Sequence, residues 1–206
     1  MRLDRPMIHI STDYVFAGDK TGPYSEDDPV APLGVYGASK LAGEQAVRDS
    51  GARHIILRTA WVYGVEGNNF VKTMLRLGRE RDVVRVVGDQ QGCPTFAGDL
   101  ARAILTLAGR AGTNRIDAKG YGAFHCVSAG QTTWHGLAAK VFALAADRLA
   151  KVPRVEAIAT ADYPTPARRP ANSVLDCGKL AQVHGIALPA WEAGLAEMLD
   201  ETLARN

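Results

Sequence analysis

The chain has 206 residues, 47% of them hydrophobic and 22% charged, which predicts one globular domain, or one domain with a small additional lobe. Its 24 Lys and Arg residues nearly balance its 22 Asp and Glu residues, and a formal net charge of +2 argues against a general nucleic-acid binder. No apolar run is long enough to span a membrane, residues 1–5 show no signal-peptide pattern, and three scattered cysteines disfavour a disulfide framework or a zinc site, so we expect a soluble cytoplasmic protein.

Strands and helices alternate through the first half of the sequence. Short apolar runs predict strands at residues 7–11, 54–59 and 83–87. Amphipathic patterns predict helices at residues 35–49, 69–81 and 96–109. This order predicts an α/β fold in which helices cover a parallel sheet.

Beyond about residue 112 the pattern becomes less regular. Strands are predicted at residues 123–127 and 153–158, and helices at residues 133–150, 176–184 and 189–204. A segment rich in Pro and Arg runs from residue 164 to residue 170. We therefore predict a first domain at residues 1–112 and a smaller α+β lobe at residues 113–206.

A tyrosine and a lysine stand four residues apart in the predicted helix at residues 35–49. At this spacing Tyr36 and Lys40 lie on one helix face, within reach of each other or of a shared ligand. An ammonium beside a phenol stabilises the phenolate, as a general acid or base requires. The alternative is that the two side chains only pack and carry a solvated charge.

Hydroxyl and acidic side chains follow the first predicted strand. Because ligands of open α/β sheets bind outside the carboxyl ends of the strands, Thr12 is placed to hydrogen-bond a substrate oxygen that faces Tyr36. The alternative is that Thr12 and Asp13 only cap a turn. Trp61 and Tyr63 follow the second strand, where they either wall a pocket or form an ordinary half-buried cluster.

Five segments of the sequence together resemble one enzyme family. They are STDYVF at residues 11–16, PYSEDDPVAPLGVYGASKLAGE at residues 23–44, LRTAWVYG at residues 57–64, DQQGCPT at residues 89–95 and RRPANSVLD at residues 168–176. In this order they resemble the dTDP-4-dehydrorhamnose reductases, a branch of the extended short-chain dehydrogenase/reductases. The resemblance implies part of a Rossmann-like, doubly wound parallel sheet at residues 1–112 and a lobe that mainly binds the sugar nucleotide at residues 113–206.

The resemblance also implies a reaction and three catalytic residues. The reaction is reduction of the C4 keto group of dTDP-4-dehydro-L-rhamnose to dTDP-L-rhamnose by NADPH or NADH. By resemblance Tyr36 donates the proton, Lys40 stabilises its phenolate and holds the nicotinamide ribose, and Thr12 takes the hydroxyl position of the triad. Tyr36 and Lys40 are thus also the expected cofactor-binding residues. A positioned acid acts where negative charge develops on the carbonyl oxygen.

A dTDP-sugar is the implied partner, and the resemblance suggests which residues bind it. The positions that match sugar-nucleotide contacts are Thr12, Asp13, Tyr14 and Trp61. Arg168 and Arg169 join them because a guanidinium suits a pyrophosphate through paired hydrogen bonds. A solvated basic loop is the alternative for these two arginines.

The Gly-rich turn typical of a dinucleotide-binding fold does not occur in the sequence. Neither G-x-G-x-x-G nor G-x-x-G-x-x-G is present, although such a turn brings a helix N-terminus to the cofactor pyrophosphate. Three explanations stay open: a fragment of a longer reductase, which we favour, a second polypeptide that supplies the other half, or a non-catalytic sugar-nucleotide-binding or regulatory module. A sugar-nucleotide epimerase or dehydratase fits the five segments less well.

No metal-ligand pattern is found in the sequence. The five histidines lack ligand spacing. The acidic residues 26–28 form either a divalent-cation site or a solvated turn, and we favour the turn. Some family members use Mg²⁺ at a dimer contact, so the resemblance leaves Mg²⁺ and a homodimer open, although no glutamate here is matched to that role.

Overall fold

The computed structural model describes residues 5–113 and 115–204. The N-terminal pattern considered above falls mostly on residues 1–4, which lie outside the described ranges, as do residue 114 and residues 205 and 206. Within the described ranges, no helix combines the length and the apolar character needed to cross a membrane.

The helices form where the sequence predicts them. Within the described ranges they are α1 (Val35–Asp49), α2 (Phe70–Glu80), α3 (Ala97–Gly112), α4 (Trp134–Ala145), α5 (Gly178–His184) and α6 (Trp191–Ala204). The helix predicted at residues 133–150 is shorter than expected. Its buried face ends at Ala145, and the next three residues form only a 3-10 turn, Ala146–Arg148, that buries no side chain.

The longest strands form two separate parallel pairings. In chain order the strands are β1 (Met7–Thr12), β2 (His54–Thr59), β3 (Val62–Tyr63), β4 (Val83–Val87), β5 (Gln91–Gly92), β6 (Thr95–Phe96), β7 (Gly122–His125), β8 (Thr132–Thr133), β9 (Arg154–Ile158) and β10 (Asn172–Ser173). Strands β1, β2 and β7 make a parallel sheet in that order, and β4 pairs in parallel with β9. Short pairings join β10, β5 and β8, and β3 and β6.

The strand at residues 83–87 does not join the sheet that the alternation of elements predicted. Its inward side chains, Val84 and Val86, pack in an apolar cluster with α2, α4 and α6, and its partner β9 comes from beyond residue 112. Conversely β7, also from beyond residue 112, pairs with β2. Strands therefore pair across the proposed division at residue 112, which stays a prediction.

Helices cover both faces of the β1–β2–β7 sheet. Ile55 and Leu57 of β2 face an apolar cluster that includes residues of α3 and α5. Arg58 of the same strand points to the other face, where it meets Glu44 of α1. This alternation along β2 is the side-chain pattern of a strand buried on both faces, and it produces a doubly wound α/β arrangement.

Candidate functional site

The candidate site lies at the carboxyl ends of β1 and β2. Thr12 ends β1 and pairs in register with Thr59, which ends β2. Trp61 follows two residues later. The structure therefore places Thr12 and Trp61 at the same edge of the sheet, where open α/β sheets bind their ligands.

The Thr12 hydroxyl is engaged in local hydrogen bonds. It donates to Asp13 Oδ1 at 2.8 Å and accepts from the Tyr14 backbone N–H at 3.3 Å. Since a hydroxyl has one hydrogen to donate, Thr12 can offer a ligand only its remaining lone pair while Asp13 accepts that hydrogen. The turn-capping arrangement is thus present, and a donor role toward a substrate requires the Thr12 hydrogen to leave Asp13.

Asp13 is a buried carboxyl with an incomplete set of partners. Its side chain is 3% exposed, and its Oδ2 atom makes no hydrogen bond within the described residues. Burial raises the pKa of Asp13 to about 6, and the nearby Thr12 and Ser173 hydroxyls only partly oppose that rise. Strong burial of a titrating group beside a sheet edge is typical of a functional site.

Tyr36 stands at the start of α1, beside the turn that follows β1. Its ring is 58% exposed and meets the Tyr14 ring edge-on, with 6.0 Å between the ring centroids. Gly37 permits this close packing, because a Cβ at this position would lie 2.1 Å from the Tyr14 carbonyl oxygen. The glycine between Tyr36 and Lys40 therefore brings the helix start against the turn.

Lys40 reaches back from α1 to the first strand. Its ammonium donates a hydrogen bond to the backbone carbonyl of Ile10, two residues before Thr12. Within the described residues, no hydrogen bond joins the Tyr36 hydroxyl to Lys40 or to Thr12. The structure thus gathers the three residues at one end of β1 without linking their side chains directly, and their catalytic roles stay predictions.

A fully paired carboxylate lies beneath this edge of the sheet. Glu44 is completely buried and accepts hydrogen bonds from Ser11 at 2.6 Å, from Arg58 at 2.9 and 2.8 Å, and from Arg48 at 2.9 Å. Burial alone would raise the pKa of Glu44, but the hydrogen bonds and charge of Arg58, helped by Ser11 and Arg48, hold it at about 2. This network fixes α1 against β1 and β2, and so fixes the helix that carries Tyr36 and Lys40.

Trp61 has an unusual backbone and a stacked partner. With a φ of 46°, it is the one non-glycine residue in the described ranges with a left-handed backbone. Its indole stacks on Trp134, with 3.6 Å between centroids and 9° between planes. Gly92 also packs closely against the Trp61 indole, because a Cβ added at Gly92 would lie 2.4 Å from Trp61 Cε2.

Arg168 and Arg169 line a cleft of about 650 Å³. Polar residues opposite them in this cleft are Asp89, Gln90 and Thr160. Within the described residues, neither arginine forms an ion pair with a carboxylate, so both guanidinium groups can meet an anionic ligand.

The cleft is electrostatically coupled to the strand-end site. Burial raises the pKa of Tyr14 to about 12, the Asp13 charge adds to that rise, and the Arg169 charge opposes it. Arg169 is therefore close enough to Tyr14 for its charge to be felt there. Tyr14 and Arg169 belong to two of the five segments that carry the family resemblance, and this electrostatic interaction links those two segments.

Several residues of the site were not identified from the sequence. Trp134 had been assigned only to a helix, although it is one of only three tryptophans and stands at the helix start. Glu44 and Ser173 carry no local signal, because their partners lie in distant elements. Gly37, within the Tyr-x-x-x-Lys segment, is apparent in the sequence and could have indicated that the helix packs closely against its neighbour there.

The acidic loop that was considered for a cation makes internal contacts. Asp28 pairs with Lys20 at 2.6 Å, and Glu26 accepts from the His125 backbone N–H at 2.7 Å. Within the described residues, no group of three or more potential metal-ligating side chains is found. The structure therefore provides no ligand set that would support Mg²⁺.

A parallel sheet wound on both faces, with Tyr36 and Lys40 on the helix that follows its first described strand, defines a Rossmann-like protein of the short-chain dehydrogenase/reductase type. The match to known families narrows this class. The chain belongs to the family described as RmlD substrate binding domain, which matches residues 1–204.

Several similar proteins are dTDP-4-dehydrorhamnose reductases. The chain is 48% identical over 188 residues to the dTDP-4-dehydrorhamnose reductase of Sinorhizobium fredii (strain NBRC 101917 / NGR234), covering 91% of this chain and 63% of that protein. It is 47% identical over 199 residues to the Escherichia coli (strain K12) reductase of the same name, covering 95% and 65%. The chain thus spans slightly less than two thirds of the length of these relatives.

A solved structure agrees with the fold. The dTDP-4-dehydrorhamnose reductase of Bacillus anthracis str. Ames, in complex with NADP, is 39% identical and superposes with a TM-score of 0.85, covering 95% of this chain and 65% of that one. The Rossmann-like prediction from the sequence is confirmed.

Proposed function

We propose that this chain provides the substrate-binding and acid–base part of an NAD(P)H-dependent reductase that converts dTDP-4-dehydro-L-rhamnose into dTDP-L-rhamnose. The observation that carries the proposal is the convergence of Thr12, Tyr36 and Lys40 at the carboxyl end of β1. The names of the relatives supply the substrate class.

The proposed chemistry places each side chain at one atom of the reaction. The exposed Tyr36 hydroxyl gives its proton to the C4 carbonyl oxygen of the sugar. Lys40 keeps two N–H donors free after bonding Ile10, and its charge stabilises the resulting phenolate. Thr12 orients the sugar oxygen through its open lone pair, or donates to it once Asp13 releases the hydrogen. A bound nicotinamide cofactor supplies the hydride that reduces carbon C4.

The described residues fit the nicotinamide end of this cofactor. The Tyr36 phenol and the Lys40 ammonium are hydrogen-bonding groups suited to a ribose, and both lie beside the sheet edge. A Gly-rich turn of the kind that holds the pyrophosphate end does not occur among the described residues. We propose NADPH as the preferred form, since the Bacillus anthracis relative was solved with NADP.

The dTDP-sugar would occupy the sheet edge and the adjacent cleft. Asp13, Tyr14 and Trp61 would contact the sugar, and Arg168 and Arg169 would bind the pyrophosphate. Assembly as a homodimer stays a prediction from the family, and sedimentation of the chain over a range of concentrations tests it.

Replacement of Tyr36 tests the catalytic proposal. In Tyr36→Phe we expect NADPH oxidation with dTDP-4-dehydro-L-rhamnose to fall by about 10²–10⁴, because general acid catalysis is lost. Tyr121→Phe is the matched control, since Tyr121 packs with the apolar cluster at the opposite end of β7. Where the wild-type chain oxidises NADPH, equal turnover by Tyr36→Phe and Tyr121→Phe would refute the role of Tyr36.

Replacement of the two cleft arginines tests the binding proposal. In the double variant Arg168→Ala with Arg169→Ala, calorimetric titration should show dTDP-L-rhamnose binding weakened by about tenfold or more, since two charged hydrogen-bonding groups are removed. An exposed arginine elsewhere, Arg76, paired with Glu80 on α2, provides the control Arg76→Ala. An unchanged affinity in the double variant would reject the pyrophosphate site.

A second candidate function is the non-catalytic module that the sequence left open. In that candidate the chain binds the sugar nucleotide without turnover, as a non-catalytic or regulatory module. Binding of dTDP-L-rhamnose with no NADPH oxidation by the wild-type chain would support this candidate, whereas turnover would exclude it.

A further inference from the structure

The stacked pair of tryptophans offers an inference that deepens, and rests on, the proposed function. Trp61 sits between two parts of the molecule, packing partly against the apolar cluster of Val15 and Cys93 and partly against that of Leu137. A left-handed backbone at a large residue persists only where the surroundings determine it, and such positions concentrate at functional sites. Neighbouring residues must therefore hold Trp61 in this conformation.

Two contacts confine the indole of Trp61. One face lies on the Trp134 ring at 3.6 Å. Gly92 packs against the Nε1, Cε2 and Cζ2 atoms of the ring, where an added Cβ would come within 2.4 to 2.7 Å of all three. Gly92 is buried in β5, which is hydrogen-bonded on both sides by β10 and β8, so its backbone has little freedom to yield. The ring is thereby held in place.

A chain of hydrogen bonds connects the pair with the cleft of Arg168 and Arg169. Trp134 Nε1 donates to Gln90 Oε1 at 3.2 Å, and Gln90 Nε2 donates to Thr160 Oγ1 at 3.0 Å. Thr160 donates in turn to Asp89 at 2.6 Å. Because an indole N–H can only donate, it fixes which way the Gln90 amide is turned. Gln90, Thr160 and Asp89 all line the cleft.

We propose that Gly92, Trp134 and Gln90 are positioning residues that set the Trp61 indole at a fixed place relative to the cleft, so that one nucleotide sugar meets the indole and the arginines together. Gly92 and Trp134 both pack against the ring, and the Gln90 side chain hydrogen-bonds Trp134 at the wall of the cleft. None of the three needs to touch the ligand.

Gly92→Ala tests this proposal with two measurements on the full chain. The exciton signal of the stacked indoles in circular dichroism should be reduced, because the added methyl displaces Trp61. In calorimetric titration, affinity for dTDP-L-rhamnose should fall about tenfold while affinity for dTDP alone changes less than about twofold, since only the sugar end meets the displaced indole. The matched control is Gly109→Ala, an exposed position of α3 with no atom within 4 Å of the added Cβ.

A double variant separates positioning from damage to the fold. In a Trp61→Ala background, Gly92→Ala should cause no further loss of affinity, because the ring it would displace is gone. An additive loss, an equal loss for dTDP and dTDP-L-rhamnose, or an unchanged exciton signal and affinity would each overturn the proposal. If Gly92→Ala does not fold, Trp134→Leu, which removes the stacking partner, is expected to give the same split between the two ligands.

The two proposals fail in distinguishable ways. If the wild-type chain binds neither dTDP nor dTDP-L-rhamnose, the proposed function fails, and the exciton signal of Gly92→Ala still decides whether Gly92 sets the position of Trp61. If the wild-type chain binds dTDP-L-rhamnose and Gly92→Ala binds it equally well, the proposed function stands and the positioning role is wrong.

Discussion

Two buried carboxyl groups, Glu44 and Asp13, lie beside the end of β1 and have opposite electrostatic environments. Glu44 accepts hydrogen bonds from Ser11, Arg58 and Arg48, and these partners hold its pKa at about 2. Asp13 has one hydrogen-bonded oxygen and one without a partner in the described residues, and burial raises its pKa to about 6. Equal burial thus gives opposite results, because only one of the two carboxylates has cationic partners.

The contrast separates a structural role for Glu44 from the ligand-binding role proposed for Asp13. Adjacent residues of β1 point to opposite faces, so Ser11 meets Glu44 on the α1 side while Thr12 meets Asp13 at the sheet edge. A saturated ion pair holds the helix and the strands together. A buried carboxyl with an unpaired oxygen lowers the stability of the fold. Such groups are typical of sites where a ligand supplies the missing hydrogen bond.

The largest expected effect comes from removing the well-paired carboxylate. Glu44→Ala leaves the Arg58 guanidinium buried without its partner, so we expect the free energy of unfolding to fall by about 3–5 kcal/mol in urea denaturation. The exposed pair on α2 gives the control, since Glu80→Ala should cost only about 0.5 kcal/mol.

The effect of Glu44 should also depend on pH in a defined direction. Because its pKa is lowered from 4.5 to about 2, its stabilising contribution is present above pH 4.5 and is lost as the pH falls toward 2. A difference between wild type and Glu44→Ala that stays constant through this acid range would contradict the assigned pairing.

An intermediate effect of opposite sign is expected at Asp13. Its pKa is raised from 3.8 to about 6, so between these values the folded state binds more protons than the unfolded state, and wild-type stability falls as pH rises. Asn does not titrate, so the stability of Asp13→Asn relative to wild type should increase by about 2 kcal/mol from pH 4 to pH 7. Paired urea titrations across this range measure the difference, and a flat or declining difference would show that Asp13 is not the raised group.

The smallest effect concerns the glycine that brings α1 to the site. Gly37→Ala forces a methyl group against the Tyr14 carbonyl oxygen, so we expect a loss of about 1–3 kcal/mol in unfolding free energy and weaker dTDP-L-rhamnose binding. Gly43→Ala on the same helix is the matched control. Its nearest neighbour is His9 Nε2 at 3.4 Å, so helix propensity should make it neutral or stabilising by up to about 1 kcal/mol. Similar behaviour of the two variants would remove the special role of Gly37.

Local patterns predicted most of the elements but not all of their partners. The bounds of α1 and β2 follow directly from periodicity and from Gly51, which has a positive φ just after the helix. The pairing of β4 with β9 could not be predicted, because register between strands 71 residues apart is decided by which apolar cluster each face joins.

The same limit applies within the site. Thr12, Tyr36 and Lys40 were predicted because their spacing and their place after a strand have chemical meaning. Tyr14 and Trp61 were predicted from the family resemblance, and Arg169 from the affinity of a guanidinium for a pyrophosphate. The stacking of Trp61 on Trp134 depends on a backbone conformation that tryptophan rarely adopts, which no propensity predicts. The partners of Asp13 and Glu44 likewise become visible only after folding has brought distant elements together.

The interleaving of strands has a consequence for how this chain can be divided. Residues 54–59 need a neighbour from residues 122–125, and residues 83–87 need one from residues 154–158. A cut between residues 112 and 122 would strip a hydrogen-bonded neighbour from strands on both sides of the break. Neither piece would then retain its complete pairings, so limited proteolysis should release no stable half-molecule, and both lobes should lose structure in one cooperative transition.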